Sequence, residues 1–276
     1  MIQYENNFVT VFQSQLYKTT STVIQTSHCV LIVDPNLLPN EIEEIRQFVE
    51  HVKGERPIYL FFTHSDWDHL VGYGAFPEAT VIAGVEFTNR LDKEEIIEQI
   101  KAFDEQYYID RPYPLTYPTV DIIVKEDGQQ LKLGETILTF YKAPGHTNDG
   151  FFLIIEPVGV WVAGDYFSDL EFPFIYDHSE HYEETIQKVD SILEKHSIQL
   201  LIPGHGHVTT SIDEMKKRKE NALQYIDALR ATILQNQENF HLIKDYPYLS
   251  ELRKSHEENS QLVKKELGKT EDTLDE

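Results

Sequence analysis

The sequence predicts an α/β protein in which a second β-sheet packs on a first, with amphipathic helices between and after the strands. Short β-branched and aromatic runs occur in two groups, segments of helical period separate and follow them, and polar turns bound almost every run. A chain of 276 residues can bury one large core, since single α/β domains reach this size.

The first group opens with runs over residues 8–12, 21–25 and 29–33, which read as a meander of strands. Asp34-Pro35-Asn36 stops the third. Asn40 offers a capping oxygen to a helix over 41–52, where Ile42, Ile45, Val49 and Val52 recur at helical spacing. Gly54 closes that helix and Pro57 leads into a strand over 58–62, so strand, helix and strand form one crossover unit. A short strand follows at 80–83, then a helix over 85–103 with a strongly charged face. Pro112, Pro114 and Pro118 make 107–120 a loop, because proline cannot continue a helix.

The second group, over 121–124, 136–142, 151–156 and 160–163, has the lengths of a second sheet facing the first. Helices over 183–196 and 212–235 flank a strand at 199–202. The main domain is assigned to residues 1–254 and a charged helical tail to 255–276, in which Leu262, Val263 and Leu267 can pack one face against the body.

Composition excludes several function classes. The chain is 41% hydrophobic and 12% aromatic, which suits a globular protein rather than a disordered one. No run approaches the roughly 18 apolar residues of a membrane span, and residues 1–7 show neither the basic nor the apolar part of an export signal. A cytoplasmic protein is expected. Cys29 is the only cysteine, so no intrachain disulfide forms, and its apolar run makes it a buried, inert thiol. A net charge of −23, with no basic stripe among aromatics, argues against nucleic acid as a partner. A small-molecule substrate remains, with assembly open between a monomer and a homodimer.

The chemistry concentrates at strand ends. Thr63-His64-Ser65-Asp66-Trp67-Asp68-His69 directly follows the apolar run Ile58-Tyr59-Leu60-Phe61-Phe62. His and carboxylate side chains are the usual ligands of zinc and other first-row metals, although this cluster alone fits a solvated polar loop equally well. Three more segments decide between the two. Pro144-Gly145-His146-Thr147, Ala163-Gly164-Asp165 and Pro203-Gly204-His205-Gly206-His207 each place a ligand type beside glycine just beyond an apolar strand. Glycine there lets the backbone turn sharply and approach a neighbour closely.

This ordered set resembles the metallo-β-lactamase fold superfamily, from about Phe8 to His207. The resemblance implies a four-layer αββα sandwich with C-terminal helices and a dinuclear metal site at the sheet edges. It implies that His64, Asp66 and His146 hold one metal, that Asp68, His69 and His205 hold the other, and that Asp165 bridges them. Zinc is the first expectation for these two divalent ions, with iron or manganese next. Asp66 departs from the family pattern, which has a second His at that position. A carboxylate there adds a negative charge and a harder donor, tilting preference from zinc towards iron or manganese.

A dinuclear site lowers the pKa of a bound water and makes a hydroxide nucleophile, which Asp68 is placed to orient. Hydrolysis of an ester, thioester, lactone or related small-molecule bond is the expected reaction. The aromatic segment after Asp165 supplies substrate contacts, with Tyr166 and Tyr176 in oxyanion or orienting roles. His207 is expected to point away from the metals, and His178 and His181 to lie on the surface. The alternatives are a carboxylate-rich di-iron redox protein and a non-catalytic descendant that binds a single metal.

Overall fold

In the computed structural model, which describes residues 1–269, two mixed sheets lie face to face with helices outside each. The first sheet holds β1 (Ile2–Glu5), β2 (Val9–Gln13), β3 (Thr20–Gln25), β4 (Val30–Val33), β5 (Ile58–Phe61), β6 (Thr80–Gly84) and β7 (Ile122–Val124) in that order. It is antiparallel as far as β4 and parallel from β4 to β7. The second sheet runs β12-β11-β10-β9-β8, where β8 is Gln129–Leu133, β9 Thr136–Lys142, β10 Phe151–Glu156, β11 Val160–Val162 and β12 Leu200–Ile202. Only the β11/β12 pair is parallel.

The layering follows from strand periodicity, since neighbouring residues of a strand face opposite sides. In β4, Val30 and Ile32 pack with Ile42, Ile45 and Val49 of α1 (Pro39–Lys53), while Leu31 and Val33 face the other sheet. In β10, Phe152 and Ile154 pack outward with Ile186 and Val189 of α5 (Ser179–Lys195), while Phe151, Leu153 and Ile155 point inward. Three apolar layers therefore separate four layers of secondary structure. Phe61 and Phe140 meet across the middle layer with ring centroids 5.3 Å apart. Burial of each such ring stabilises the fold by about 2–3 kcal/mol.

Several elements differ from the sequence reading. The run at 121–124 becomes β7 of the first sheet, pairing in parallel with β6 instead of joining the second sheet. Strands β1 and β8 are additional; both are short, polar and partly exposed, so neither shows an apolar run. The helix expected over 85–103 is two helices, α3 (Val85–Thr88) and α4 (Lys93–Tyr107). Leu38, not Asn40, precedes α1; Pro39 opens it, and the Glu41 carboxylate accepts from the Leu38 amide at 3.1 Å.

The helices α6 (Ile212–Leu234) and α7 (Leu249–Glu266) follow the second sheet. Helix α7 runs through position 254, where a boundary is expected, and buries Leu252, His256, Asn259 and Val263 against the body. Leu262 and Leu267 pack on the same cluster, while the end of the expected tail, 270–276, lies outside the described residues. Among the described residues, no helix is long and apolar enough to cross a membrane.

Candidate metal centre

All four predicted segments converge at one edge of the sandwich, His64 to His69 from the first sheet and His146, Asp165 and His205 from the second. The chain leaves β5 through Phe62 and Thr63 and enters the four-residue helix α2 (Trp67–Leu70). Asp66 stands at its N-terminus, and Asp68 and His69 lie within its single turn. Donor atoms of His64, Asp66, His146 and Asp165 form one group within 4.8 Å of one another, and those of Asp68, His69 and His205 form a second.

Asp165 stands between the two. Its Oδ2 lies 3.8 Å from His64 Nε2, 3.3 Å from His146 Nε2 and 3.2 Å from His205 Nε2, while its Oδ1 lies 3.0 Å from His69 Nε2. Asp66 Oδ2 is 3.1 Å from His146 Nε2 and 3.8 Å from His64 Nε2. Asp68 Oδ2 is 3.5 Å from His205 Nε2 and 4.0 Å from His69 Nε2. Donors around a tetrahedral zinc, with bonds of about 2.0–2.1 Å, sit about 3.3 Å apart. The shorter Asp side chain thus reaches the first group where the family pattern has His.

Residues fit a metal by a second criterion. His64 Nε2, His69 Nε2 and Asp165 Oδ1 are buried and lack a hydrogen-bond partner, although such atoms are ordinarily satisfied. Burial, then the charge of His69, pushes the His64 imidazole down to about 3, leaving it neutral as a ligand must be. Against its burial, the hydrogen bond from His146 holds the Asp66 carboxyl at about 2. Burial opposes protonation of His205 as well, but Asp165 and Glu171 raise it to about 10. Divalent cations held by these donors would displace such protons.

The outer nitrogen of each imidazole is tied down. His69 Nδ1 lies 3.0 Å from Asp34 Oδ2, and the same carboxylate accepts from Thr63 N and Thr63 Oγ1 at 2.9 and 2.6 Å. His64 Nδ1 lies 2.9 Å from Thr63 Oγ1, His146 Nδ1 2.8 Å from the Phe174 carbonyl, and His205 Nδ1 2.8 Å from the Tyr17 carbonyl. Such contacts fix the tautomer and aim of a metal-binding ring. Two glycines set the close approaches: a Cβ on Gly204 would meet Asp165 Oδ1 at 2.1 Å, and one on Gly145 would meet the Tyr182 backbone at 2.3 Å.

Asp34, Thr63, Tyr17 and Glu171 are additions to the predicted site. Asp34 reads in sequence as a strand stop; its position beyond β4, which pairs in parallel with β5, is the signal that brings it under the metal loop. Glu171 Oε1 is 3.6 Å from His205 Nδ1, and burial raises its carboxyl to about 7.

Tyr166 does not take the substrate-facing role expected of it. Its buried hydroxyl accepts from His146 N at 3.0 Å and points to the Pro144 and Ala143 carbonyls at 2.7 and 3.2 Å, so it braces the His146 loop from behind. Tyr176 lies at the mouth, 47% exposed, its ring 5.2 Å from that of His146. Trp67 packs on Phe103 at 4.8 Å and pins the metal loop to α4. His207 turns away to Asp169, and His178 caps α5 by accepting from Glu180 N.

Comparison with solved structures places this geometry in a known fold. The chain superposes on the sec-alkylsulfatase Pisa1 from Pseudomonas sp. with a TM-score of 0.64 and 14% identity, covering 96% of this chain and 50% of that one. A double mutant of the same sulfatase gives 0.68 and 14%, covering 98% and 50%, so the chain spans half the sulfatase's length. A metallo-beta-lactamase family protein from Thermus thermophilus gives 0.66 and 17%, covering 95% of each chain. An archaeal superfamily protein from Sulfolobus tokodaii gives 0.57 and 15%, covering 95% and 100%. No curated protein matches the sequence. The family model of the metallo-beta-lactamase superfamily matches residues 15–205, which include every donor of both groups, and the chain belongs to that superfamily.

Proposed function

We propose that the protein is a metal-dependent hydrolase of small-molecule esters, thioesters or lactones, working through two divalent cations. The position of Asp165 carries this reading, because one carboxylate faces the imidazoles of both donor groups. His64, Asp66 and His146 would hold one cation, Asp68, His69 and His205 the other, and Asp165 both. Bound there, the pair supplies an activated water at neutral pH and a Lewis acid for the scissile carbonyl.

The protein's own residues do the rest. Asp68, in the second group, accepts from the attacking water and orients it. Tyr176 stands beside His146 at the mouth, where desolvation of its inner edge and the nearby Asp66 charge raise its phenol; it therefore stays a hydrogen-bond donor to the substrate at neutral pH. Arg90, the cation bonded to Ser65 in the metal loop, is also paired with Asp92, which leaves an uncharged acyl group as the better fit than a phosphodiester.

Elemental analysis of the purified protein, with a panel of esters, thioesters, lactones and an alkyl sulfate assayed before and after chelation, tests the proposal. Two equivalents of metal and chelator-sensitive hydrolysis of an acyl substrate are expected. Asp66 favours one second reading, a di-iron redox centre, because it gives the site a third carboxylate. Stoichiometric iron with oxygen or peroxide reduction and no hydrolysis of any panel member would establish that reading instead.

A further inference from the structure

We infer that Asn259, on the C-terminal helix, is a positioning residue of the metal centre, setting the aim of His146 through the backbone of Phe174. The inference rests on the proposed metal site and adds a residue beyond the stretch matched to the superfamily, which ends at 205.

The path is short, and both bonds made by Asn259 in it are buried. Asn259 has no exposed surface. Its Oδ1 accepts from Ile175 N at 2.9 Å and its Nδ2 donates to the Pro173 carbonyl at 2.6 Å. The amide therefore grips both peptide groups flanking Phe174, in the one orientation that a backbone N–H and a carbonyl allow. The Phe174 carbonyl held between them lies 2.8 Å from His146 Nδ1. That contact presents His146 Nε2 to Asp66 and Asp165.

The same strap is bonded directly to the ligand's loop, Tyr176 N to the His146 carbonyl at 2.9 Å and Asp177 N to the Gly145 carbonyl at 3.2 Å. Glu266, near the end of α7, accepts from Ser179 N at 2.9 Å, so the helix holds the strap beyond both sides of this pairing. Asn259 makes one further bond, to the Tyr225 hydroxyl at 3.0 Å. Tyr225 also meets His256 Nδ1 at 2.8 Å, a bond that ties α6 to α7 without touching the strap's backbone.

A group bonded directly to a metal ligand, as the Phe174 carbonyl is to His146, is worth about 10- to 100-fold in affinity, and Asn259 acts one link further out. The metal-stripped full chain is titrated with Zn2+ by calorimetry, and the Co2+-loaded protein is followed by its electronic spectrum. The wild type is expected to bind two equivalents. Asn259→Leu, of similar size, is expected to weaken one of the two steps by about 10-fold, the lower end of that range, and to shift the Co2+ bands, with the other step unchanged. Asn259→Asp keeps the acceptor for Ile175 N, loses the donor to Pro173, and is expected to fall between; it serves as the test if the Leu variant does not fold. Tyr225→Phe, which spares both strap bonds, is expected to lower thermal stability and leave both steps as in the wild type.

Wild-type titration in a folded Asn259 variant would overturn the inference while leaving the metal site standing. Equal weakening in Tyr225→Phe would also overturn it, since general loosening of α7 would then explain the loss. A wild type that binds no metal would remove the proposed site and the inference together.

Discussion

His69 and His205, on one side of Asp165, take their outer hydrogen bonds from residues of the first sheet: Asp34 just past β4 and the Tyr17 carbonyl in the turn between β2 and β3. His146, on the other side, takes its bond from Phe174, in a strap gripped by a helix from the far end of the chain. The first arrangement lies inside the region matched to the superfamily, and the grip on the strap lies outside it. The donors can thus be steadied by residues inside the matched stretch in one half and by a helix beyond it in the other. Asp66, the residue that departs from the family pattern, belongs to the second of these halves.

The largest effect should come from removing what the halves share. Asp165→Ala is expected to weaken binding at both groups by more than about 100-fold, at least the upper range for an indirect partner; one equivalent of metal retained at wild-type affinity would show the halves to be independent. Asp34→Ala should break only the scaffold-held half, weakening one equivalent by about 10- to 100-fold. It should also cost about 1–3 kcal/mol in a denaturant titration, because Thr63 N, Thr63 Oγ1 and His69 Nδ1 lose a buried partner together.

A pH series on chelator-treated protein sharpens the comparison less drastically. His205 is raised to about 10, and Asp165 together with neighbouring carboxylates raises His69 and His146 against their burial. Each raised imidazole stabilises the fold fully below its ordinary value of about 6.5 and loses that contribution as pH climbs towards the folded value. His64, lowered to about 3, works the other way and destabilises as pH falls below about 6.5. Above about pH 6.5 His64 is neutral in both states and the three raised groups act alone, so the melting temperature should fall between about pH 6.5 and 10, whereas the gain on adding metal should grow over the same range as protons cease to compete. A flat profile would mean that the histidines are not paired with these carboxylates. The smallest effect is expected from His207→Ala, which removes an exposed pair with Asp169 and should change stability by less than about 0.5 kcal/mol, with no change in metal stoichiometry.

The donors themselves are readable in sequence because the signal is local: a ligand type beside glycine or at the end of an apolar run. Their supports are not. Asp34 reaches His69 across 35 residues, and Tyr17 reaches His205 across 188 through a carbonyl that any residue possesses. Asn259 looks like one more polar residue on a charged helix, because nothing near it in sequence reveals the strap that it bonds. Among the strands, β7 shows its β-branched run but not its partner, which is set by the crossover from β6. The polar edge strand β8 offers alternating half-exposed positions in place of an apolar run. Tyr166 misled because aromatic character alone does not distinguish a side chain that faces substrate from one that braces a loop.

The donor groups also join two sheets whose facing surfaces are apolar and which share a few hydrogen bonds at this edge, Phe151 N to the Thr63 carbonyl and Thr20 N to the Gly204 carbonyl among them. His64 to His69 arrive from the first sheet and His146, Asp165 and His205 from the second. With Cys29 as its only cysteine, the chain can form no internal disulfide staple. A pair of cations would take that part, cross-linking the sandwich at one edge, each adding about 4 kcal/mol to the unfolding free energy at a thousandfold excess over its dissociation constant. Removing metal should then let the sheets separate first at that edge, a change that hydrogen exchange at Thr63 and Phe151, whose backbones are bonded there, can follow residue by residue.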